Sequence, residues 1–302
     1  GDYTVSGIKG HAAITDSKLA LDRLEGAFNG TPFKVGGSLT FTATQAKPYT
    51  MAGTVDVTGF DVGAFFRATN PKEEPPIETK VSVKGTIGGT AATVDTLADG
   101  ATGKFDITGS KGVLRALSKS STAGKLVGGV STAANAAVGL LSMLGKTPPP
   151  QASAVAETSI DLAKALGEIQ LDEFKLNIER GNDLNIHLNA LEFTSSVVRI
   201  TGKGQINYAA GTPIQDQQMA VEVSMGAKGA IGGLLRTARV LGNETDAKGY
   251  ALVRQPFTVR GTPIKPDSSE LWTLIATAAI SDGGSAIQSG AAALEGLFRK
   301  RK

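Results

Sequence analysis

Apolar and polar residues alternate with a period of two over much of this 302-residue chain. In residues 33–43, Phe33, Val35 and Leu39 share one parity, while Lys34 and Ser38 take the other. The alternation returns at 49–57, 81–87, 174–178, 184–188, 198–208 and 219–225. Successive side chains of a strand point to opposite faces, so each segment predicts a strand with one apolar and one hydrated face. Strands at such short spacing are typical of antiparallel sheets, and the predicted fold class is mainly β, within the α+β group.

The alternating segments form two copies of one pattern. Residues 21–43 match residues 188–210 at an offset of 167, and the shared positions are Leu21, Leu24, Glu25, Gly37 and Ala43 against Leu188, Leu191, Glu192, Gly204 and Ala210. Residues 62–68 (VGAFFRA) match 231–237 (IGGLLRT) at an offset of 169. The sequence therefore predicts two repeated antiparallel β-sheet units in a groove-like or elongated sheet. Each copy ends in a short helical turn, whose pairs Phe65-Phe66 and Leu234-Leu235 are expected to be buried, with Arg67 and Arg236 at the rim.

The sequence between and after the copies has helical character. Apolar residues fall near helical spacing from Gly112 to Lys146, where Pro148-Pro149-Pro150 follow, and again at 154–169. Asp267 is a suitable N-cap for a last helix. The predicted organisation is a first β unit at 1–111, a helical insert at 112–168, a second β unit at 169–265, and a C-terminal helix with a basic tail at 266–302.

The charge of the chain comes from its tail. The net charge is +3, and the last four residues supply four positive charges, so the rest carries 3 − 4 = −1. A basic face for nucleic acid is therefore not expected. The tail, Arg299, Lys300, Arg301 and Lys302, suits either solubility or contact with an anionic membrane surface.

Motifs that carry catalysis or bind cofactors are not recognisable in the sequence. There is no cysteine, which excludes disulfides, thiol catalysis and cysteine-ligated zinc. The histidines, His11 and His187, lie on the polar parity of strands, where a solvated role is favoured. Residues 126–145 contain no charge, but polar residues and glycines interrupt them, which favours an amphipathic helix over a membrane span. We therefore expect no enzyme activity, cofactor or metal.

The pattern G-Y-x-L-x-x-x-P-F-T-V-x-G-T-P-x-x-P-D occupies residues 249–267. Its members are Gly249, Tyr250, Leu252, Pro256, Phe257, Thr258, Val259, Gly261, Thr262, Pro263, Pro266 and Asp267. With the G-x-[GS]-x-[LI]-x-[FY] strands and the apolar turns before Arg67 and Arg236, it resembles the C-terminal region of AsmA-like proteins. The resemblance covers most of residues 1–282 and contains no invariant catalytic signature.

This resemblance implies a location and a function. AsmA-like proteins, with TamB and YhdP, belong to the Gram-negative envelope, where an N-terminal helix anchors them in the inner membrane and the rest projects into the periplasm. Long β-sheet grooves with apolar interiors characterise them, and they are implicated in phospholipid movement between membranes or in outer-membrane assembly. Because the chain opens with GDYTVSG, we expect it to be the periplasmic part of a longer, inner-membrane-anchored protein.

The apolar sheet faces leave two interpretations open. They form a groove for phospholipid acyl chains, or helices fill them and the protein is a non-catalytic envelope scaffold whose sheet edges recruit partner proteins. Each buried methylene gains ~0.8 kcal/mol, so ten acyl carbons would gain ~8 kcal/mol before costs. The second copy is expected to have no charged residue on its inward parity. The predicted lipid-facing residues are Phe33, Val35, Leu39, Phe41, Val55, Val57, Ile186, Leu188, Val198, Ile200, Ile206, Val221 and Val223.

Overall fold

The protein is described by a computed structural model that covers residues 4–115, 165–237, 240–271 and 273–274. Strands account for 59% of it, which confirms the mainly β prediction. The strands form one open antiparallel sheet of fourteen members. The predicted helices of the insert and the C-terminus, and the basic tail, lie largely outside the described residues. Short helical turns at 165–167, 269–271 and 273–274 belong to the described part.

The first half of the chain contains six strands and one helix. They are β1 (Val5–Ile14), β2 (Lys18–Phe28), β3 (Thr31–Phe41), β4 (Tyr49–Asp61), α1 (Val62–Thr69), β5 (Ile77–Ala91) and β6 (Thr102–Leu114). The second half contains β7 (Ile169–Arg180), β8 (Ile186–Thr194), β9 (Val198–Ile206), β10 (Met219–Ala227), α2 (Gly229–Thr237), β11 (Leu241–Thr245), β12 (Ala251–Val253), β13 (Phe257–Thr262) and β14 (Lys265–Asp267). A short 3-10 turn, Ile214–Asp216, precedes β10.

The two halves share a single sheet, because β6 pairs directly with β7. Their register runs from Gly103 opposite Arg180 to Leu114 opposite Ile169. From β1 to β10 each strand pairs with the next one in sequence. Beyond β10 the order changes, since β10 pairs with both β12 and β13, and β14 adds to β13. The strand after the long segment, β7, therefore lies directly beside the strand before it, β6.

The two copies agree in register as well as in sequence. Leu21 lies opposite Gly37 in the β2–β3 pair, and Leu188 lies opposite Gly204 in the β8–β9 pair. Both pairs also shift register at matching places, between Leu21 and Leu24 in the first copy and between Leu188 and Leu191 in the second. The strand pairing of the two copies therefore shows the same offset of 167 residues as their sequences.

The match extends to the first strand of each copy. The β1–β2 pair shifts register between His11 and Ala12, and the β7–β8 pair shifts between Asn177 and Ile178. The shift in β7 lies 166 residues after the shift in β1, so β1 is the counterpart of β7. Helices α1 and α2 follow β4 and β10 directly and lie at the same end of the sheet, which we call the helix end. The opposite end is called the open end.

One face of the sheet is apolar along continuous rows that cross the strands. We call two neighbouring rows the central rows. The first reads Gly10, Leu24, Val35, Val55, Gly85, Phe105, Ile178, Leu188, Gly204 and Val221. The second reads Gly26, Phe33, Val57, Val83, Ile107, Leu176, Leu191, Gly202 and Val223. Neither row contains a charged residue.

The opposite face carries a row of charges that alternate in sign, which we call the charge ladder. From β1 to β7 its directly opposed residues are Lys9, Glu25, Lys34, Asp56, Lys84, Asp106 and Asn177. Lys34 Nζ lies 3.4 Å from Glu25 Oε1, and Asn177 Nδ2 donates to Asp106 Oδ1 at 2.7 Å. Opposite charges across strands are favourable and like charges are not, so the ladder favours this register over its alternatives.

The helix end of the second half contains the buried core. Leu235 of α2, Phe257 of β13 and Leu271 pack there against Val198 and Met225 of the sheet. Lys265 Nζ of β14 also reaches Glu73 Oε1, just before β5, at 3.0 Å. Seven strand-to-strand steps separate β5 from β14, which would be roughly 34 Å in a flat sheet. This end of the sheet therefore curls until its two sides meet.

The charge ladder predicts a stability effect for Asp56→Lys. Asp56 lies between Lys34 and Lys84, so the substitution puts three cations in a row. We expect the free energy of unfolding to fall by about 1–2 kcal/mol, and less at high salt. Chemical denaturation measures it, with Asp16→Lys in the exposed β1–β2 turn as the control. An equal loss in both variants would show that the ladder contributes nothing to stability.

The close approach of strands on the apolar face predicts a second effect. A Cβ on Gly204 would lie 2.2 Å from the Ala220 carbonyl oxygen, and one on its counterpart Gly37 would lie 2.5 Å from that of Ala52. Gly204→Ala should therefore destabilise the fold by ~1–3 kcal/mol through overpacking. Gly233→Ala in α2 is the control, because its Cβ would meet nothing within 4 Å and alanine favours a helix. Equal melting temperatures for Gly204→Ala and wild type would contradict this close packing.

Candidate functional site

The apolar face of β2–β6 is only partly covered by the other described residues of the chain. Val35, Val55 and Phe105 of the first central row, and Phe33 and Val57 of the second, are all half-buried. No charged residue lies on this face within β2–β6. We call this surface the open apolar face. Because monomeric proteins rarely expose a contiguous apolar surface of this kind, it is the strongest candidate site in the described part of the chain.

Large apolar side chains extend the open apolar face to its rim. Leu19 and Phe41 are 42% and 41% exposed, and Ile14 at the end of β1 is 79% exposed. Leu19 lies opposite both Ile14 and Leu39, so these three belong to the same face. The rings of Phe41 and Tyr49 lie with their centroids 5.1 Å apart, tilted by 50° to each other. The rim is therefore apolar at the open end, away from α1 and α2.

The second copy presents the same face in a packed state. Val198, Ile200, Val221 and Val223 are at most 4% exposed, and Ile186 is 9% exposed. The first four belong to the cluster formed with α2, β13 and Leu271. This difference arises because the chain after β10 folds over the sheet, whereas β5 and β6 continue it.

The register puts all the predicted lipid-facing residues on one face of the sheet. In the first copy, Phe33, Val35, Leu39, Val55 and Val57 are half-buried and Phe41 is exposed. In the second copy, Leu188 and Ile206 are half-buried, and the other members are buried: Ile186, Val198, Ile200, Val221 and Val223. Contact of these residues with lipid stays a prediction.

The expectation that no charged residue lies on the inward, apolar face of the second copy was wrong, because Arg180 lies there. It lies opposite Gly103 and Ile186, on the apolar face at the open end. Its guanidinium donates to three backbone carbonyls, of Leu184 at 3.2 Å, Ala98 at 3.4 Å and Asp99 at 2.8 Å. It also lies 5.5 Å from the centroid of the Tyr208 ring. The alternation of β7, continued two residues past Ile178, would have identified it.

The predicted burial of the apolar pairs in α1 and α2 is confirmed only in part. Phe66 and Leu235 are buried, and Leu234 is half-buried. Phe65, however, is 41% exposed, so its predicted burial was wrong. Consecutive residues of a helix point about 100° apart, so the eight-residue helix α1, which packs against β5, buries Phe66 and leaves Phe65 exposed. Arg67 is at the rim as expected, where Nη1 donates to Glu78 Oε1 at 2.7 Å.

The motif at 249–267 has a structural role that begins at Tyr250. The Tyr250 ring is 3% exposed, and its hydroxyl donates to the Ser195 carbonyl oxygen at 2.5 Å. Lys228 Nζ lies 4.1 Å from the ring centroid. Ser195 Oγ in turn accepts the Val198 N–H at 2.9 Å. Tyr250 therefore joins the β8–β9 turn to the end of β10.

The second part of the motif forms the closing hairpin. Phe257 is 1% exposed and lies opposite Val223. Gly261 has φ +88°, and a Cβ there would lie 2.4 Å from the Lys265 carbonyl oxygen. Asp267 Oδ1 accepts the Ser269 N–H at 2.9 Å, as expected of a residue that starts a helix. These residues turn the chain from the sheet over the core, and they present no reactive group.

A network of ion pairs on the polar face supports the same region. Arg199 donates to Glu192 Oε1 at 2.9 Å and to Asp246 Oδ2 at 2.8 Å, and Lys248 Nζ lies 3.5 Å from Glu192 Oε1. Burial raises the pKa of Glu192 and of Asp246, but the hydrogen bonds and charge of Arg199 outweigh it, and both pKa values are lowered. Asp246 Oδ1 also accepts the Lys248 and Tyr250 N–H groups, which fixes the turn before β12.

Metal-binding side chains are not brought together in the described ranges. No group of three or more His, Cys, Asp or Glu side chains there is arranged to hold a metal ion. His11 Nδ1 lies 2.8 Å from Asp22 Oδ2, and His187 Nε2 lies 3.0 Å from Asp183 Oδ2, on the polar face. Within residues 4–115, 165–237, 240–271 and 273–274, no helix is long and apolar enough to cross a membrane.

The chain matches no protein-family model, no curated protein and no solved structure. The resemblance to AsmA-like proteins therefore stays a prediction from the motif at 249–267 and the strand pattern. A functional conclusion therefore rests on the geometry of the open apolar face.

The Arg199 network predicts a pH-dependent contribution to stability. Because the pKa of Asp246 is lowered in the folded state, its contribution is present above the unfolded value of about 3.9 and is lost as pH falls through the folded value. The difference in melting temperature between wild type and Asp246→Asn should be largest near pH 7 and shrink below about pH 4. Asp16→Asn, in an exposed turn, is the control. A difference that is independent of pH would contradict this assignment.

Proposed function

We propose that the open apolar face binds phospholipid acyl chains, and that the protein guides them as a module of lipid transport or assembly at the outer membrane. The observation that carries the proposal is the pair of central rows, which cross β2–β8 without a charged residue and are half-buried in β2–β6. An apolar surface of this extent favours an apolar ligand, since water contact with it is unfavourable.

The dimensions of the face suit an extended chain. Seven strand-to-strand steps from β1 to β8 give a path of roughly 34 Å at about 4.8 Å for each step. Each methylene removed from water on this path gains ~0.8 kcal/mol, so ten gain ~8 kcal/mol before the entropy of immobilisation is subtracted. Gly85, Val55 and Val57 are small, and they leave a shallow surface to which flexible chains can adapt.

The proposal concentrates lipid contact on part of the predicted set. These are the residues that stay half-buried or exposed, Phe33, Val35, Leu39, Phe41, Val55, Val57, Leu188 and Ile206. The buried members, such as Val198 and Val223, pack against α2 and β13, and would meet an acyl chain only after that packing is displaced. Acyl chains would therefore enter from the open end, since the core occupies the helix end.

The proposed location is the periplasm, within a longer protein anchored in the inner membrane of a Gram-negative bacterium. Its support is the resemblance of residues 249–267 and of the repeated strands to AsmA-like proteins. Phospholipid is the proposed ligand, and envelope proteins are the proposed partners.

A non-catalytic scaffold is the alternative function. The filled core at the helix end is what a scaffold requires. The scaffold hypothesis gives no reason for the half-buried, uncharged face of β2–β6, and for this reason we favour lipid binding.

Val55→Asp tests the proposal, with Thr54→Asp as its matched control. Val55 lies on the open apolar face, and its neighbour Thr54 points to the opposite face, where it is exposed. A carboxylate at position 55 must be desolvated when an acyl chain covers it, which is unfavourable. Phospholipid extracted from a detergent-free preparation and measured by native mass spectrometry should be lost in Val55→Asp and retained in Thr54→Asp. Both variants should stay folded, whereas Val223→Asp in the core should unfold.

Photo-crosslinking gives an independent readout. A photoreactive side chain at position 55 or 35 should capture phospholipid, and one at 54 should not. If wild type retains no phospholipid and position 55 crosslinks only to protein, the lipid hypothesis gives way to the scaffold.

A further inference from the structure

Among the residues that the structure describes, strand β1 forms an edge of the sheet that no other element covers. It pairs with β2 on one side, and all ten of its residues are exposed. Natural sheets usually protect such an edge by short length, prolines or several charges. In contrast, β1 is long and contains no proline and a single lysine, Lys9, while Val5 and Ile8 are 55% and 53% exposed. The edge thus has unpaired backbone groups and apolar side chains together.

The repeat indicates what fits this edge. Strand β1 is the counterpart of β7, since both carry the same register shift at positions 166 apart. The edge of β7 that corresponds to the free edge of β1 is occupied by β6, along its length from Gly103 to Leu114. The second copy therefore contains a strand contact, that of β6 with β7, whose counterpart is absent from the described residues of the first copy.

We infer that the free edge of β1 docks an antiparallel β-strand whose residue pattern is that of β6, supplied by another polypeptide. In β6, Phe105 and Ile107 lie on the apolar face, opposite Ile178 and Leu176. At the offset of 166, the corresponding residues of β1 are Ala12 and Gly10. A partner with large apolar residues at these two places would continue the first central row, which ends at Gly10, and the neighbouring row through Ala12, Leu21 and Gly37.

Charge defines the other face of the partner. Lys9 is the terminal rung of the charge ladder, and the next rung must be acidic if the alternation continues. Lys175, the counterpart of Lys9, lies opposite Thr108 of β6. The polar residues of β1 are otherwise neutral, apart from His11, which pairs with Asp22. An acidic residue at the position of Thr108 therefore suits β1.

The backbone of β1 identifies the residues that make the contact. The Thr15 N–H donates to the Lys18 carbonyl at 2.8 Å, and Ala13 lies opposite Ala20. In an antiparallel ladder the hydrogen-bonded pairs alternate, so Ala12 and Ile14 direct their N–H and C=O groups to the free edge. These groups are the ones a docked strand would pair with.

The test uses the full chain and a fluorescent peptide with the sequence of β6, TGKFDITGSKGVL. Fluorescence anisotropy should show saturable binding, and Thr108→Glu in the peptide should bind more tightly than Thr108→Lys, by roughly fivefold to tenfold. Lys9→Glu in the chain should reverse that order. Hydrogen exchange should show protection of Ala12 and Ile14 on peptide binding.

Ala12→Pro removes an outward N–H without removing a β1–β2 hydrogen bond, and it should abolish binding; Ala12→Val keeps the N–H and should retain it. Binding that survives Ala12→Pro, or an order of peptides that Lys9→Glu does not reverse, would overturn the inference. The inference would also be overturned if the chain failed to bind the peptide but formed a dimer that Ala12→Pro abolishes. The strand docked on β1 would then be β1 of a second copy. The readouts do not depend on lipid.

Discussion

The register between neighbouring strands is the constraint on which the rest of this structure depends. Side chains alternate between faces, so a slip of one residue in any pair would move charges onto the apolar face. The directly opposed charges of Glu25, Lys34, Asp56 and Lys84 make such a slip unfavourable in successive pairs. Single pairs of this kind contribute little, and their effect here comes from repetition across many strands. The uncharged central rows exist because the register is kept from β1 to β10.

The copies share a strand pattern but differ in what covers it. In the first copy β5 pairs with β4 along nearly its whole length, from Tyr49 opposite Ala91 to Asp61 opposite Lys80. In the second copy the partner of β10 is divided between β12, opposite Gly226 and Ala227, and β13, opposite Val221 to Val223. That division allows Phe257 and Leu271 to enter the core. As far as the described residues go, one unit is therefore a packed cap, and the other is a single-layer sheet whose apolar face they leave accessible.

The sequence predicted the strand faces and the repeat well, because both are local properties. Alternation assigns Val35 and Val55 to one face and Lys34 to the other without knowledge of their neighbours. The direct pairing of β6 with β7 was not predictable, since more than fifty residues separate Leu114 from Ile169. Burial was not predictable either, as Val57 and its counterpart Met225 have equally apolar surroundings in sequence. Which of them is buried depends on where α2 and residues 240–274 pack. Phe65 was misjudged because the pair was read without the geometry of the helix, and Arg180 because the alternation of β7 was not followed past Ile178.

A single-layer antiparallel sheet leaves apolar area exposed that a second layer would otherwise cover. Among the described residues, the first copy is stabilised from one side only, through β6 and its long pairing with the second copy. Its two incomplete surfaces, the open apolar face and the edge of β1, meet at Ile8 and Ile14. A strand added to β1 would lengthen the face by one strand, and an acyl chain on the face would bury residues on both sides of that junction. Binding of a strand to the edge of β1 should therefore favour binding of an acyl chain to the open apolar face, and the reverse. Each ligand removes from water apolar groups that the other ligand leaves exposed where the two surfaces meet.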